Sequence, residues 1–198
     1  MGLEISGAHL GLHSPLATSA PANAYWSADA AFLYGDVTIL QTTSGVFDSG
    51  TTLLGLATGK LLRDSWQHDN MYGHLTYISE AYGLYVMSTG ALLDKTTGLL
   101  KIDLERYNKL KSLFFTVEDR TYEFNANAQA WPRALNHLIG GDKDSVYLIV
   151  TDLGPDLSKE MGFVAGMTFL ERFYVVFDSR RHRVGLANTQ FTDSMTIN

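Results

Sequence analysis

The stretch Gly45-Val46-Phe47-Asp48-Ser49-Gly50-Thr51-Thr52-Leu53-Leu54 sets one carboxylate between an apolar run and a tight turn of small and hydroxyl-bearing residues. Val46 and Phe47 favour a buried strand. Gly50 lets the backbone come close to the carboxylate, and Thr51 and Thr52 supply hydroxyls beside it. A carboxylate seated in this way can give or take a proton for a bound substrate. On these residues alone, an Asx or type I turn between two apolar segments accounts for the pattern equally well.

The elements that must position Asp48 follow from the flanking patterns. Residues 1–24 are rich in Gly, Ala, Ser and Pro and read as a lead-in with one strand near Leu10 to Leu16. Tyr25 to Ala30 and Val37 to Leu40 read as strands joined at Tyr34-Gly35-Asp36, with Val46 to Phe47 delivering Asp48. Beyond the acid, Leu53, Leu54, Leu56, Ala57, Leu61, Leu62 and Trp66 are spaced for a helix. Leu92 to Ile102 reads as a hairpin around Thr97-Gly98, and Asp103 as the N-cap of a helix facing inward through Leu104, Tyr107, Leu110 and Leu113. A second hairpin joins Phe114–Val117 to Thr121–Phe124. A short helix runs from Trp131 to Leu138, with Pro132 in its first turn and Gly140-Gly141 at its end. Val146 to Val150 lacks alternation and is expected to be buried on both sides, and Asp156 to Glu160 reads as a loop. Phe163 to Ala165 leads into Gly166, whose missing side chain would let the backbone pass close to the Asp48 turn. One helical turn at Phe169–Arg172 and a hairpin of Phe173–Asp178 with Arg183–Ala187 complete the chain.

Two segments carry a family resemblance. Phe47-Asp48-Ser49-Gly50-Thr51-Thr52-Leu53-Leu54 resembles the second Asp-Thr/Ser-Gly-Thr motif of the pepsin-like aspartic proteases. Phe163-Val164-Ala165-Gly166, then Phe169 to Asp178 and Arg183-Val184-Gly185-Leu186-Ala187, resemble the closing signature of the same family. Tyr25-Trp26 resembles the aromatic pair that begins the first long strand of many fungal pepsin-like lobes, and Ser112-Leu113-Phe114-Phe115, Asn125-Ala126-Asn127-Ala128-Gln129 and Phe169-Leu170-Glu171-Arg172-Phe173 are similar to phrases of the cysteine-free proteases of wood-rotting fungi. The resemblance covers about residues 10–191.

The resemblance implies a mainly β fold: a single barrel-like, pepsin-type C-terminal lobe with two or three short helices, over residues 25–192, with 193–198 as a tail. It implies an aspartic endopeptidase that hydrolyses a peptide bond with water activated between two aspartates. Asp48 is then the catalytic aspartate of this lobe. Ser49, Gly50, Thr51, Thr52 and Gly166 are the supporting or substrate-binding residues. No cofactor or metal is implied. The substrate is a polypeptide with apolar side chains on both sides of the cut, and the setting is extracellular or vacuolar. Residues 61–85 depart from the family and read as an insertion, whether a surface excursion or a retained intron.

The chain shows no first Asp-Thr-Gly motif and no tyrosine-bearing flap. Asp94, Asp103, Asp142, Asp152 and Asp178 stand in turns, caps or loops. Three expectations follow. The chain is a fragment of a two-lobe enzyme that lacks its N-terminal lobe, or it pairs with a second copy across the Asp48 face, or it is a catalytically silent binding or structural lobe. A glycan-binding all-β protein using Trp26, Tyr72 and Tyr77 is the rival from another class.

Composition bounds these readings. The 198 residues, 45% hydrophobic and 12% aromatic, suffice for one full core. With 15 basic against 21 acidic residues and no basic run longer than Arg180-Arg181-His182-Arg183, nucleic acid is not an expected partner. There are no cysteines, which excludes disulfides and thiolate chemistry. Met1 to Ser6 has neither a basic leader nor an apolar core, so no signal peptide is read there, and no run is apolar enough to suggest a membrane span. His68 and His74, with Asp64, Asp69 and Glu80, lack the spacing of a metal site.

Overall fold

The computed structural model describes residues 11–13, 25–58, 60–61, 77–78 and 81–195. Strand β1 (Gly11–His13) is followed by β2 (Ser27–Tyr34) and β3 (Val37–Phe47), a hairpin turned at Gly35, where φ is +56°. The expected strands over Val37–Leu40 and Val46–Phe47 are thus one strand. In β2 the burial alternates, with Ala28, Ala30, Phe32 and Tyr34 facing the core, as a half-buried antiparallel strand requires.

After the Asp48 turn come β4 (Leu54–Leu56), β5 (Lys60–Leu61) and β6 (Tyr77–Ile78), with β5 paired to β6. The helix expected from Leu53 onward is therefore absent at Leu54–Leu56, and Trp66 lies outside the described residues. Leu54 and Leu56 are fully buried because this segment pairs on both edges, and sheet hydrogen bonds on two sides outweigh a helical spacing of leucines. Most of the segment read as an insertion also lies outside the described residues, but its last part opens α1 (Ala81–Thr89), where Ala81 and Tyr85 are fully buried.

Next come β7 (Leu92–Leu93), β8 (Leu100–Ile102) and α2 (Leu104–Tyr107). Asp103 caps α2, its carboxylate accepting from the Arg106 N–H at 2.8 Å. The helix is a single turn with no fully buried residue, Leu104 is exposed and Leu113 belongs to the next strand, but Tyr107 and Leu110 pack against the core, so the expected face forms in part. Strands β9 (Leu113–Val117) and β10 (Arg120–Phe124) make the second hairpin, and a 3-10 helix spans Arg133–Ile139 and ends at Gly140 in the left-handed region. The apolar run at 146–150 divides into β11 (Val146–Leu148) and β12 (Val150–Asp152). Helix α3 (Gly154–Leu157) begins ahead of the expected loop and takes its first two residues, because Pro155 and Asp156 suit a helical first turn. Strand β13 (Phe163–Ala165), α4 (Met167–Leu170), β14 (Phe173–Asp178) and β15 (Arg183–Asn188) close the chain.

Seven strands form a curled, barrel-like sheet in the order β10, β9, β2, β3, β13, β4, β12. Strand β13 runs parallel to β3 and antiparallel to β4. A three-stranded sheet of β1, β15 and β14 and another of β11, β8 and β7 flank it. The core is aromatic. Phe115 lies 5.0 Å from Phe32, 5.7 Å from Phe163 and 5.3 Å from Phe169, ring centre to ring centre. Each such pair adds about 0.5–1.5 kcal/mol beyond the area it buries. Gly45 makes room for this cluster, since a Cβ there would meet the Phe163 ring at 2.2 Å. The molecule is mainly β with several short helices, the described residues holding a few more than expected.

Candidate active site

Asp48 is the first residue beyond β3, and the sheet fixes where it stands. Gly45, Val46 and Phe47 pair with Phe163, Val164 and Ala165, and the Asp48 N–H extends that ladder by donating to the Ala165 carbonyl at 3.0 Å. A strand buried between two partners has little freedom, so its end is a rigid place for a reactive group.

The turn then folds back on the carboxylate. The Gly50 N–H donates to Asp48 Oδ1 at 2.9 Å, and the Thr51 hydroxyl donates to Oδ2 at 2.6 Å. Asp48 is partly buried, while Ser49, Gly50 and Thr52 are exposed. Each carboxylate oxygen therefore has one donor and keeps further lone pairs for a partner.

Gly166 supports this turn from behind. A Cβ at Gly166 would lie 2.4 Å from the Leu53 carbonyl oxygen and 2.6 Å from that of Thr51, closer than any real side chain tolerates. Its bareness lets the backbone after β13 dock against the loop after Asp48. The Met167 N–H donates to the Thr51 carbonyl at 2.7 Å, and both the N–H and the hydroxyl of Thr168 donate to the Thr52 carbonyl, at 3.0 and 2.8 Å. Asp48, Gly50, Thr51, Thr52 and Gly166 thus meet in one place. Ser49, exposed at the turn, makes no side-chain hydrogen bond among the described residues.

Asp48 and Thr51 open into a cavity of about 720 Å³. Its walls are mostly apolar and include Trp26, Val46, Phe47, Met161 and Val164, while the Glu160 carboxylate and the His182 imidazole are polar groups of its lining. Sequence reasoning missed Thr168, Glu160, Met161 and His182. Thr168 sits two residues after Gly166, and that proximity to the docking glycine was its only signal.

Among the described residues, no second carboxylate is hydrogen-bonded to Asp48, and no group of three His, Asp or Glu side chains is placed to hold a metal ion. His68 and His74 lie outside the described residues, as do Tyr72 and the lead-in beyond β1. Trp26, named for a glycan-binding role, instead packs its ring 5.3 Å from Phe177. Among the described residues, no helix is long and apolar enough to cross a membrane.

Comparison with known proteins gives the family. Residues 14–189 match the family model described as eukaryotic aspartyl protease. The chain is 44% identical over 181 residues to polyporopepsin of Irpex lacteus, covering 91% of this chain and 47% of that protein. It superposes on the crystal structure of the aspartic proteinase from Irpex lacteus with a TM-score of 0.80 and 42% identity, over 94% of this chain and 48% of the other. The chain spans about half the length of these relatives. A family match across most of the chain, with a fungal relative at this identity, places it: the chain belongs to the eukaryotic aspartyl protease family.

Proposed function

We propose that this chain is the C-terminal lobe of an aspartic endopeptidase and that Asp48 is one of the two catalytic aspartates. The observation that carries the proposal is the seat of Asp48: a carboxylate at the end of a doubly paired strand, with one donor on each oxygen, opening into an apolar cavity. Gly50, Thr51 and Gly166 hold that seat, and Ser49 and Thr52 border it.

Peptide hydrolysis needs two carboxylates close enough to share one proton, because like charge at short range keeps one protonated while the other stays ionised. The ionised carboxylate takes a proton from water as its oxygen adds to the peptide carbonyl carbon. The protonated one supplies its proton to the carbonyl oxygen. The carbon–nitrogen bond then breaks as nitrogen is protonated, leaving an acid and an amine. One lobe supplies half of this arrangement, so the activity requires a partner: an N-terminal lobe bearing the other aspartate, or a second copy of this chain. The substrate is a polypeptide with apolar residues around the cut, consistent with the cavity walls, and the setting is extracellular or vacuolar.

That no second carboxylate is hydrogen-bonded to Asp48 among the described residues also favours a second reading, a pepsin-like lobe that binds without cleaving. Cleavage of an unfolded protein between about pH 3 and 5, with the purified chain at several concentrations and Asp48→Asn beside it, separates the two. Activity that rises steeply with concentration and vanishes in the variant establishes a self-paired dyad. Activity only after a second, Asp-bearing lobe is supplied establishes the two-lobe enzyme. A folded chain that binds a statine-containing peptide and never cleaves, with or without that lobe, establishes the silent one. Failure to bind or cleave such substrates even with that lobe supplied overturns the proposal.

A further inference from the structure

We propose that Glu160 selects peptides with a basic side chain, Lys or Arg, next to the apolar residues bound over Asp48. The inference rests on the endopeptidase reading above and adds a substrate class to it.

The sheet order separates the two flanks of the cavity. Strands β2 and β13 lie on opposite sides of β3, whose end carries Asp48. Trp26, leading into β2, packs its ring at a tilt against that of Phe177 of β14, so the turn from β14 to β15 belongs to the β2 flank. That turn brings His182 to the cavity, with Arg180 and Arg181 beside it in sequence. The β13 flank is different. There Val46 packs with Met161, and Glu160 precedes Met161 at the cavity wall.

Glu160 is exposed but not loosely held. Its N–H and that of Met161 both donate to the Leu157 carbonyl, at 2.9 and 3.0 Å, which fixes the turn behind α3. The neighbouring Lys159 is engaged by Asp156 at 2.9 Å. Among the described residues, Glu160 itself has no ion-pair partner. A carboxylate left unpaired beside Met161 and Leu157 suits a long cationic side chain, which lays its methylenes on the apolar wall and carries its charge to the rim. An acidic side chain at the same place meets like charge. Among the described residues, no carboxylate of the β2 flank lines the cavity, so a basic residue finds its partner on the Glu160 side.

The test is calorimetric binding of uncleavable statine-containing peptides to the full chain near neutral pH. The peptides share an apolar core, and the positions on either side of it are scanned one at a time as Lys, Gln or Glu. At one position the Lys peptide is expected to bind about threefold to fivefold more tightly than the Glu peptide, the scale of a solvent-exposed ion pair. Glu160→Gln flattens that preference and Glu160→Lys inverts it. Equal binding of Lys and Glu peptides everywhere, or a preference that survives Glu160→Lys, overturns the proposal and leaves the endopeptidase reading standing. Absence of binding by every peptide, with a second, Asp-bearing lobe supplied or not, overturns both.

Discussion

Gln129 and Asp48 are both polar side chains gripped by several hydrogen bonds, yet their surroundings are opposite. Gln129 is 0% exposed. Its Nε2 donates to the carbonyls of Lys111 and Phe124 at 2.9 and 3.0 Å, and its Oε1 accepts from the Tyr85 hydroxyl at 3.0 Å. This knot ties α1 to the strand and loop around β10 and is closed to anything else. Asp48 receives one donor on each oxygen and turns the rest of its capacity toward a cavity. A polar group satisfied from within stabilises the fold, whereas one satisfied in part and opened to a cleft is available to a ligand.

The sharpest way to break this contrast is to fill the space behind Asp48. Gly166→Val drives a side chain into the Thr51 and Leu53 carbonyls, which have no room to yield. We expect a loss of about 3 kcal/mol or more, read as failure to give a cooperative melt. A normal melt would mean that the two backbones do not need to touch. Next in size, Gln129→Ala strands the Tyr85 hydroxyl and two carbonyls in the core and is expected to cost about 3 kcal/mol in denaturant unfolding.

Tyr85→Phe sharpens the comparison at smaller amplitude, about 1 kcal/mol, and carries a pH signature. Burial, with Tyr34 nearby, pushes the Tyr85 phenol well above its ordinary value. Its contribution to stability is thus complete below that ordinary value, near 10, and is lost as pH rises toward the folded-state value. Alkaline unfolding should begin above about pH 10 and be milder in the variant. Asp48→Asn is the mirror experiment. Its amide oxygen still accepts from the turn, so the melt should shift by about 1 kcal/mol or less while statine-peptide binding is lost.

The smallest expected effect lies in acid. The Thr96 N–H lowers the Asp94 carboxyl, the Asp144 N–H that of Asp142, the Arg106 N–H that of Asp103, and the Arg183 guanidinium that of Asp178. A group lowered on folding stabilises above its ordinary value and stops doing so only as pH falls through the lowered one. Thermal melts should therefore hold nearly level down to the ordinary carboxylate range, near 4, and decline below it. A decline that begins near neutrality would count against these four carboxylates as the controlling groups.

Much of this molecule was legible in its sequence because local signals and tertiary demands agreed. The Tyr34-Gly35-Asp36 turn, the Asp103 cap, the hairpin of Phe114–Val117 with Thr121–Phe124 and the Gly140 stop each rest on a preference of one or a few residues. The failures fall where a distant partner decides. Leu54 and Leu56 have helical neighbours but are claimed by β12 and β13, which lie about a hundred positions further along the chain. The Gln129–Tyr85 knot joins α1 to a loop far away in sequence, and no spacing announces it. At the site, Asp48 and Gly166 were readable from their motifs. Glu160 and His182 were not, because a cavity wall assembled from three elements leaves no pattern in any one of them.

The position of β13 in the chain sets a schedule. Asp48 leaves the ribosome well before the strand that fixes it and the glycine that backs its turn, which arrive only at residues 163–166. Until then β3 and β4, which do not pair with each other, have nothing between them. The Asp48 turn is therefore among the last parts of the fold to take shape, and a nascent chain stopped short of β13 carries Asp48 without its seat.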